Sequence, residues 1–216
     1  MSDLIKVGVI DYGVGNLGSV MRALEELKVK PVLVKQATEM HFNDCLILPG
    51  VGNFSDCARL LHEGGWHGAL HDEVLGSNKP ILGVCVGMQL LADSSTEGVT
   101  EGQDTPGLGL IPGQVKHLKA LGCNLRIPHV GWNSIDRGNP SNHFFDGIPN
   151  GTDFYFVHSY AFSSDDSADV IATTNYGVPI TAAVRRGHVW GTQFHPEKSS
   201  RAGFKLLKNF IEGSRC

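Results

Sequence analysis

The chain has 216 residues, 41% of them hydrophobic, and a formal charge of −4 at neutral pH. That is enough for one substantial core and cramped for two, and Lys and Arg are scattered, which excludes the basic footprint of a nucleic-acid binder. The opening Met1-Ser2-Asp3-Leu4-Ile5-Lys6 has no apolar signal core, no run of about 18 apolar residues could span a bilayer, and five cysteines without a C-x-x-C pair argue against a disulfide framework or a cysteine zinc site; a cytosolic chain with free thiols is expected.

In the first half, short apolar runs alternate with amphipathic segments, the signature of parallel strands joined by helices. Residues 6–10 are the first expected strand. Gly13-Val14-Gly15-Asn16-Leu17-Gly18 then matches G-x-G-x-x-G between a strand and a helix. The dinucleotide reading fails because the second strand, residues 32–34, ends without the ribose-binding acid; the glycines are read as shaping a surface loop. Leu17, Val20, Met21, Leu24 and Leu27 recur at helical spacing. A third strand at 45–48 runs into Pro49-Gly50-Val51-Gly52, and helices are expected over 54–63 and 66–75. His62, His67 and His71 lack the H-E-x-x-H pattern and are read as a solvated face, not a metal site. Cys45, Cys57 and Cys123 are read as small buried apolar residues.

Cys85 is different. Residues 80–84 read as a buried strand and 86–92 as a helix, so Gly83-Val84-Cys85-Val86-Gly87 forms a G-x-C-x-G elbow at the turn between them. The glycines allow strained backbone angles and close approach of neighbouring elements. A sulfur at that turn meets the unpaired N–H groups and positive dipole end of a helix, which favour negative charge. Pro49-Gly50-Val51-Gly52 should lie at the same carboxyl edge of the sheet, where the N–H groups of Val51 or Gly52 and of Val86 can form an oxyanion hole.

The segment 98–113 is rich in Gly and Pro, and strand-like runs follow at 114–118, 127–135 and 154–160. Further strands are expected at 170–174, 180–184 and 189–194, and an amphipathic helix over 201–211, with Phe204, Leu207, Phe210 and Ile211 inward, closes the chain. No internal repeat occurs. The expected fold is α/β: one domain over residues 1–216, with a central mixed, mostly parallel sheet flanked by helices.

His195 and Glu197 lie just past the strand ending at Phe194, two residues apart, so an extended backbone sends both side chains the same way, with Pro196 stiffening the link. A cysteine nucleophile needs a base, and the base needs a carboxylate to fix its tautomer and orientation. Cys85, His195 and Glu197 supply these as nucleophile, base and orienter. No cofactor or metal is expected.

With these motifs the chain resembles the class I, triad-type glutamine amidotransferases of flavodoxin-like fold. Within them it is most similar to the glutaminase subunits of imidazole glycerol phosphate synthases, which serve histidine biosynthesis. Gly83 to Gln89 and His195-Pro196-Glu197 carry the general likeness. Asp11-Tyr12-Gly13-Val14-Gly15-Asn16, Pro49 to Gly52, His129-Val130-Gly131-Trp132-Asn133 and Tyr155-Phe156-Val157-His158-Ser159-Tyr160 extend it, the last two being the discriminating segments. The resemblance implies that Cys85 attacks the carboxamide of glutamine to give a thioester and ammonia. It implies that Gly52, Gln89, Glu97, Ser159 and Tyr160 hold glutamine, with Glu97 on its α-ammonium group. It also implies a (β/α)8 cyclase partner in a heterodimer, which receives the ammonia through an internal tunnel, and that Asn16, Trp132, Tyr155 and Lys198 face it. Val86, where Leu is commoner, and Asn53, where a small residue is frequent, are small departures. Two other readings keep a place: a paralogous glutaminase feeding another synthase, such as one amidating a surface sugar, and a non-catalytic binding partner with a vestigial triad.

Overall fold

The computed structural model describes residues 4–100, 102–138 and 143–214. Met1 to Asp3, from the opening segment, and Glu101, within the Gly- and Pro-rich stretch, lie outside the described residues, as does Cys216. Thirteen strands and five α-helices run in the order β1 (Lys6–Ile10), α1 (Leu17–Glu26), β2 (Lys30–Val34), β3 (Cys45–Gly50), α2 (Phe54–Glu63), α3 (Trp66–His71), β4 (Ile81–Cys85), α4 (Val86–Gln89), β5 (Ser94–Thr100), β6 (Gln103–Pro106), β7 (Gly113–His117), β8 (His129–Arg137), β9 (Asp153–His158), β10 (Tyr160–Ser164), β11 (Val170–Asn175), β12 (Pro179–Arg186), β13 (Val189–Thr192) and α5 (Ser200–Gly213), among the described residues.

A nine-stranded sheet has the order β2-β1-β3-β4-β13-β12-β11-β8-β9. It is mixed, as expected: β2, β1, β3, β4 and β13 are parallel, and the remainder, from β13 through β12, β11 and β8 to β9, is antiparallel. The parallel strands β3 and β4 are buried along their whole length, which is why they read as unbroken apolar runs. Helices α1, α2 and α5 each lay an apolar stripe on the core, with Val20, Ala23 and Leu24, then Phe54, Cys57 and Leu61, then Leu206, Leu207, Phe210 and Ile211 buried. No helix among the described residues is long and apolar enough to cross a membrane.

Four expectations need correction. The helix after Cys85 ends at Gln89, not at residue 92. The carbonyls of Leu90, Leu91 and Ala92 accept instead from the N–H groups of Leu108, Leu110, Ile111 and Gly109, so the 107–111 segment takes over the bonds a longer helix would have used. The run at 154–160 is two strands: β9 ends at His158 in the large sheet, and β10 starts at Tyr160 in a second, four-stranded sheet of order β10-β7-β5-β6. Ser159 is the crossing point, and its carbonyl accepts from Leu118 N. Finally, the stretch read only as rich in Gly and Pro contains most of the β5–β6 hairpin, whose second strand, Gln-Asp-Thr-Pro, is largely exposed and shows no apolar alternation. Helix α3 also gives way to a wider π turn over Asp72–Gly76.

Candidate active site

Parallel register brings the three sequence motifs together. Gly50 at the end of β3 pairs with Cys85 at the end of β4, and Thr192 at the end of β13 pairs with Val84. The Pro49–Gly52 loop, the elbow and the His195 segment therefore leave the carboxyl edge side by side.

Cys85 has φ 57° and ψ −112°, a conformation that costs a non-glycine residue about 1–3 kcal/mol and persists only where its surroundings enforce it. Backbone contact enforces it here. A Cβ on Gly87 would sit 1.9 Å from the Leu48 carbonyl oxygen, one on Gly83 would sit 2.5 Å from the Gly87 oxygen, and one on Gly50 would sit 2.5 Å from Gly87 N. The turn is thus clamped between β3 and β4 by main-chain atoms. Cys85 is 4% exposed, and its sulfur lies 3.8 Å from the Val157 carbonyl and 3.9 Å from Gln193 Nε2.

His195 and Glu197 have side chains only 2% exposed, with Nδ1 of the imidazole 2.9 Å from Oε1 of the carboxylate. Burial alone would lower the imidazole pKa, but hydrogen bonding and charge from Cys85 and Glu197 outweigh it and hold it at about 9. The segment is fixed from behind. Phe194 is fully buried with its ring 4.1 Å from that of Phe154 and 5.6 Å from that of Phe156. Gly203 at the start of α5 could carry no Cβ, which would meet the Pro196 carbonyl at 1.8 Å.

A cavity of about 350 Å³ opens over Cys85, a size suited to an amino acid. It is lined by Val51, Gly52 and Val86, by Gln89, Glu97, Ser159 and Tyr160, and by Cys85, His195 and Lys198, so the residues named for the nucleophile, base, oxyanion hole and glutamine share one chamber. The sequence reading gave no site role to Pro128, Val157 or His158, which also line it. His158 could have been found from its place two residues before Tyr160. Glu197 lies behind the wall and borders a small void together with Asn16, Pro49 and His195. Trp132 and Tyr155 are outside the chamber; they face each other across the β8–β9 register with ring centroids 6.1 Å apart, and Trp132 is 54% exposed.

The loop over the thiol is anchored by two groups the sequence reading did not single out. The Tyr12 hydroxyl donates to the Pro49 carbonyl at 3.0 Å, and the Cys57 thiol contacts the Val51 carbonyl at 3.5 Å. Because peptides are planar, fixing these carbonyls fixes the opposite-facing N–H groups of Gly50 and Gly52. Burial and the nearby Cys57 push the Tyr12 hydroxyl well up, so it remains a donor. Asn53 caps α2, its side chain accepting from Ser55 N at 2.8 Å and Asp56 N at 3.3 Å, a role that accounts for the polar residue there. Glu97 accepts from Phe54 N at 2.8 Å, and burial raises its carboxyl while that N–H lowers it. Gly15, expected only to shape a loop, packs against Pro49, where a Cβ would lie 3.2 Å from the ring. His67 and His71 stack at 4.8 Å, and His71 also bonds the Leu108 carbonyl.

Comparison with known proteins agrees with this chemistry. A family described as glutamine amidotransferase class-I matches residues 8–213. The chain is 44% identical to the imidazole glycerol phosphate synthase subunit HisH 1 of Prochlorococcus marinus, over 96% of this chain and 97% of that one. It is also 44% identical to the corresponding HisH subunit of Moorella thermoacetica, over 95% and 94%. A solved structure described as a glutamine amidotransferase superposes with a TM-score of 0.75 at 23% identity, covering 97% of this chain and 99% of the other.

Proposed function

The chain belongs to the class-I glutamine amidotransferase family, and from that premise we infer that it is the glutaminase subunit of an imidazole glycerol phosphate synthase. It hydrolyses glutamine to glutamate and ammonia and passes the ammonia to a cyclase subunit in histidine biosynthesis. Full-length similarity to HisH subunits supports this reading. The observation that carries the mechanism is the single chamber holding Cys85, His195 and the Val51–Gly52 loop.

Glutamine enters with its α-ammonium group toward Glu97 and its carboxamide over Cys85. The sulfur attacks the carboxamide carbon, and main-chain N–H groups of the Val51–Gly52 loop and Val86 receive the oxyanion. His195, charged at neutral pH, gives its proton to the departing nitrogen, and ammonia leaves with a γ-glutamyl thioester on Cys85. The imidazole then takes a proton from water, the resulting hydroxide equivalent cleaves the thioester, and glutamate and the free thiol return. Glu197 holds Nδ1–H so that Nε2 faces the sulfur. Trp132, Tyr155, Lys198 and Asn16 face a (β/α)8 cyclase, which takes the ammonia through a tunnel before water can protonate it. The reaction runs in the cytosol with no bound metal or cofactor.

The test is glutamate release measured with the cyclase and its ribonucleotide present. Release should be stimulated by both and lost in Cys85→Ala, while the cyclase supplied with free ammonia still turns over. Release that persists in Cys85→Ala, or that ignores the cyclase, would overturn the assignment.

A further inference from the structure

One atom, the carbonyl oxygen of Tyr160, sets the polarity of a chain of buried side chains behind the chamber. A carbonyl oxygen can only accept, and it has two close partners: Gln89 Nε2 at 2.9 Å and His158 Nδ1 at 2.8 Å. Both must therefore be N–H donors. His158 is 6% exposed, and burial holds its pKa at about 3, so the ring is neutral and its Nε2 is a lone pair. His129 Nδ1, 3.0 Å from that lone pair, must in turn carry hydrogen. His129 is 2% exposed and neutral, with its pKa lowered to about 4 by burial, so its Nε2 accepts from Asn133 Nδ2 at 3.3 Å.

The same logic runs toward the sulfur. With its nitrogen turned to Tyr160, Gln89 gives its second N–H to Gln193 Oε1 at 3.0 Å. Gln193 is fully buried, and its oxygen is thereby committed to Gln89, which leaves Nε2 on the side of Cys85 Sγ, 3.9 Å away. The reverse setting would place two NH2 groups against each other and add a second carbonyl oxygen, beside that of Val157 at 3.8 Å, against the sulfur, where nothing on that side would then offset the repulsion of a negative charge.

We propose that Gln193 is a further catalytic residue, whose amide N–H holds the charge that builds on the Cys85 sulfur, and that Gln89, His158 and His129 are positioning residues keeping that amide turned the right way. The proposal rests on the reading of Cys85 as the nucleophile of a glutaminase. It explains why four polar side chains are buried where apolar packing would be simpler: the run delivers a donor, of fixed orientation, to one atom.

The experiment uses the complex with the cyclase. Gln193→Met keeps the length and removes the donor; Gln193→Glu keeps the shape and replaces the donor by an acceptor. Iodoacetamide labelling of Cys85, followed by peptide mass across a pH series, should slow about 10- to 100-fold at neutral pH in Gln193→Met, with the whole profile displaced to higher pH. Gln193→Glu should slow further. In glutamate release, kcat should fall by a similar factor with KM nearly unchanged. An unshifted labelling profile in folded Gln193→Met overturns the proposal. Nitrogen NMR of the unaltered protein gives an independent check: both His129 and His158 should carry hydrogen on Nδ1, and a Nε2–H tautomer at His158 overturns it as well. Labelling needs no glutamine, so the two failures differ: a wild-type complex that labels as expected yet releases no glutamate would sink the glutaminase reading, whereas an unshifted Gln193→Met profile beside normal wild-type glutamate release would sink this proposal alone.

Discussion

The main-chain N–H of His195 donates to the carbonyl of Tyr155 at 2.9 Å, so the base hangs from the strand that carries one of the aromatic residues expected to face the cyclase. Ser199 closes the link from the other side: its Oγ accepts from Tyr155 N at 3.0 Å and donates to the His195 carbonyl at 2.6 Å. Strand β9 and the backbone of the base are therefore bonded to each other directly and through Ser199.

Ser199→Ala leaves Tyr155 N–H and the His195 carbonyl without that partner in a site where Ser199 is 1% exposed. The chain should lose about 2 kcal/mol of stability, measured by urea unfolding, and kcat in the complex should fall more than KM rises. Unchanged kcat would show that the base needs no such tether.

The His195 imidazole is held at about 9, above its ordinary 6.5. Its proton favours the folded chain fully below pH 6.5, and that contribution, on the order of 3 kcal/mol, is lost as pH rises through 9. Urea midpoints should fall across this window in the wild type and less steeply in Glu197→Gln, which lacks one of the two groups, Cys85 and Glu197, that hold the proton. Equal slopes would contradict the assignment.

Glycine substitutions should split sharply by position. Gly87→Ala drives a methyl group onto the Leu48 carbonyl at 1.9 Å and should cost about 3 kcal/mol or more, read as a collapse of the melting temperature or loss of soluble protein. Gly68, inside α3, has nothing within 4 Å of the added carbon, and Gly68→Ala should stabilise by about 0.5–1 kcal/mol.

Glu97→Gln should raise KM for glutamine about 10- to 100-fold and change kcat little, because in the proposed pose its contact with the α-ammonium group lies away from the reacting carbon and serves bound substrate and transition state alike. Initial rates over a glutamine series decide it; a fall in kcat at constant KM would place Glu97 in the chemistry instead.

Much of the site was legible in the sequence because its signals are local. Glycines around Cys85, the Pro-Gly loop after an apolar strand and two polar residues flanking Pro196 each declare a turn at the end of a strand, and the parallel order of β3, β4 and β13 does the rest. Helix α2 came out with its observed bounds because Asn53 and Gly64 flank an apolar stripe. What escaped was non-local. Tyr12, Cys57, Gln193 and Ser199 act through partners that distant elements supply, and nothing in their neighbours' spacing announces it. The β9–β10 break escaped because the apolar pattern continues through Ser159 while the chain changes sheets, and the shortened α4 escaped because its carbonyls are taken by residues about 20 positions away.

The clamp of main chain around Gly50, Gly83 and Gly87 bears on how this enzyme could be altered. The elbow that presents Cys85 to the chamber is held by backbone already in contact, and no side chain can be added at those three positions. The chamber's lining, Glu97, Ser159 and Tyr160 among it, contains none of the three. Redesign toward another amide has that lining to work with, so variants selected for a new substrate should accumulate there and leave Gly50, Gly83 and Gly87 untouched.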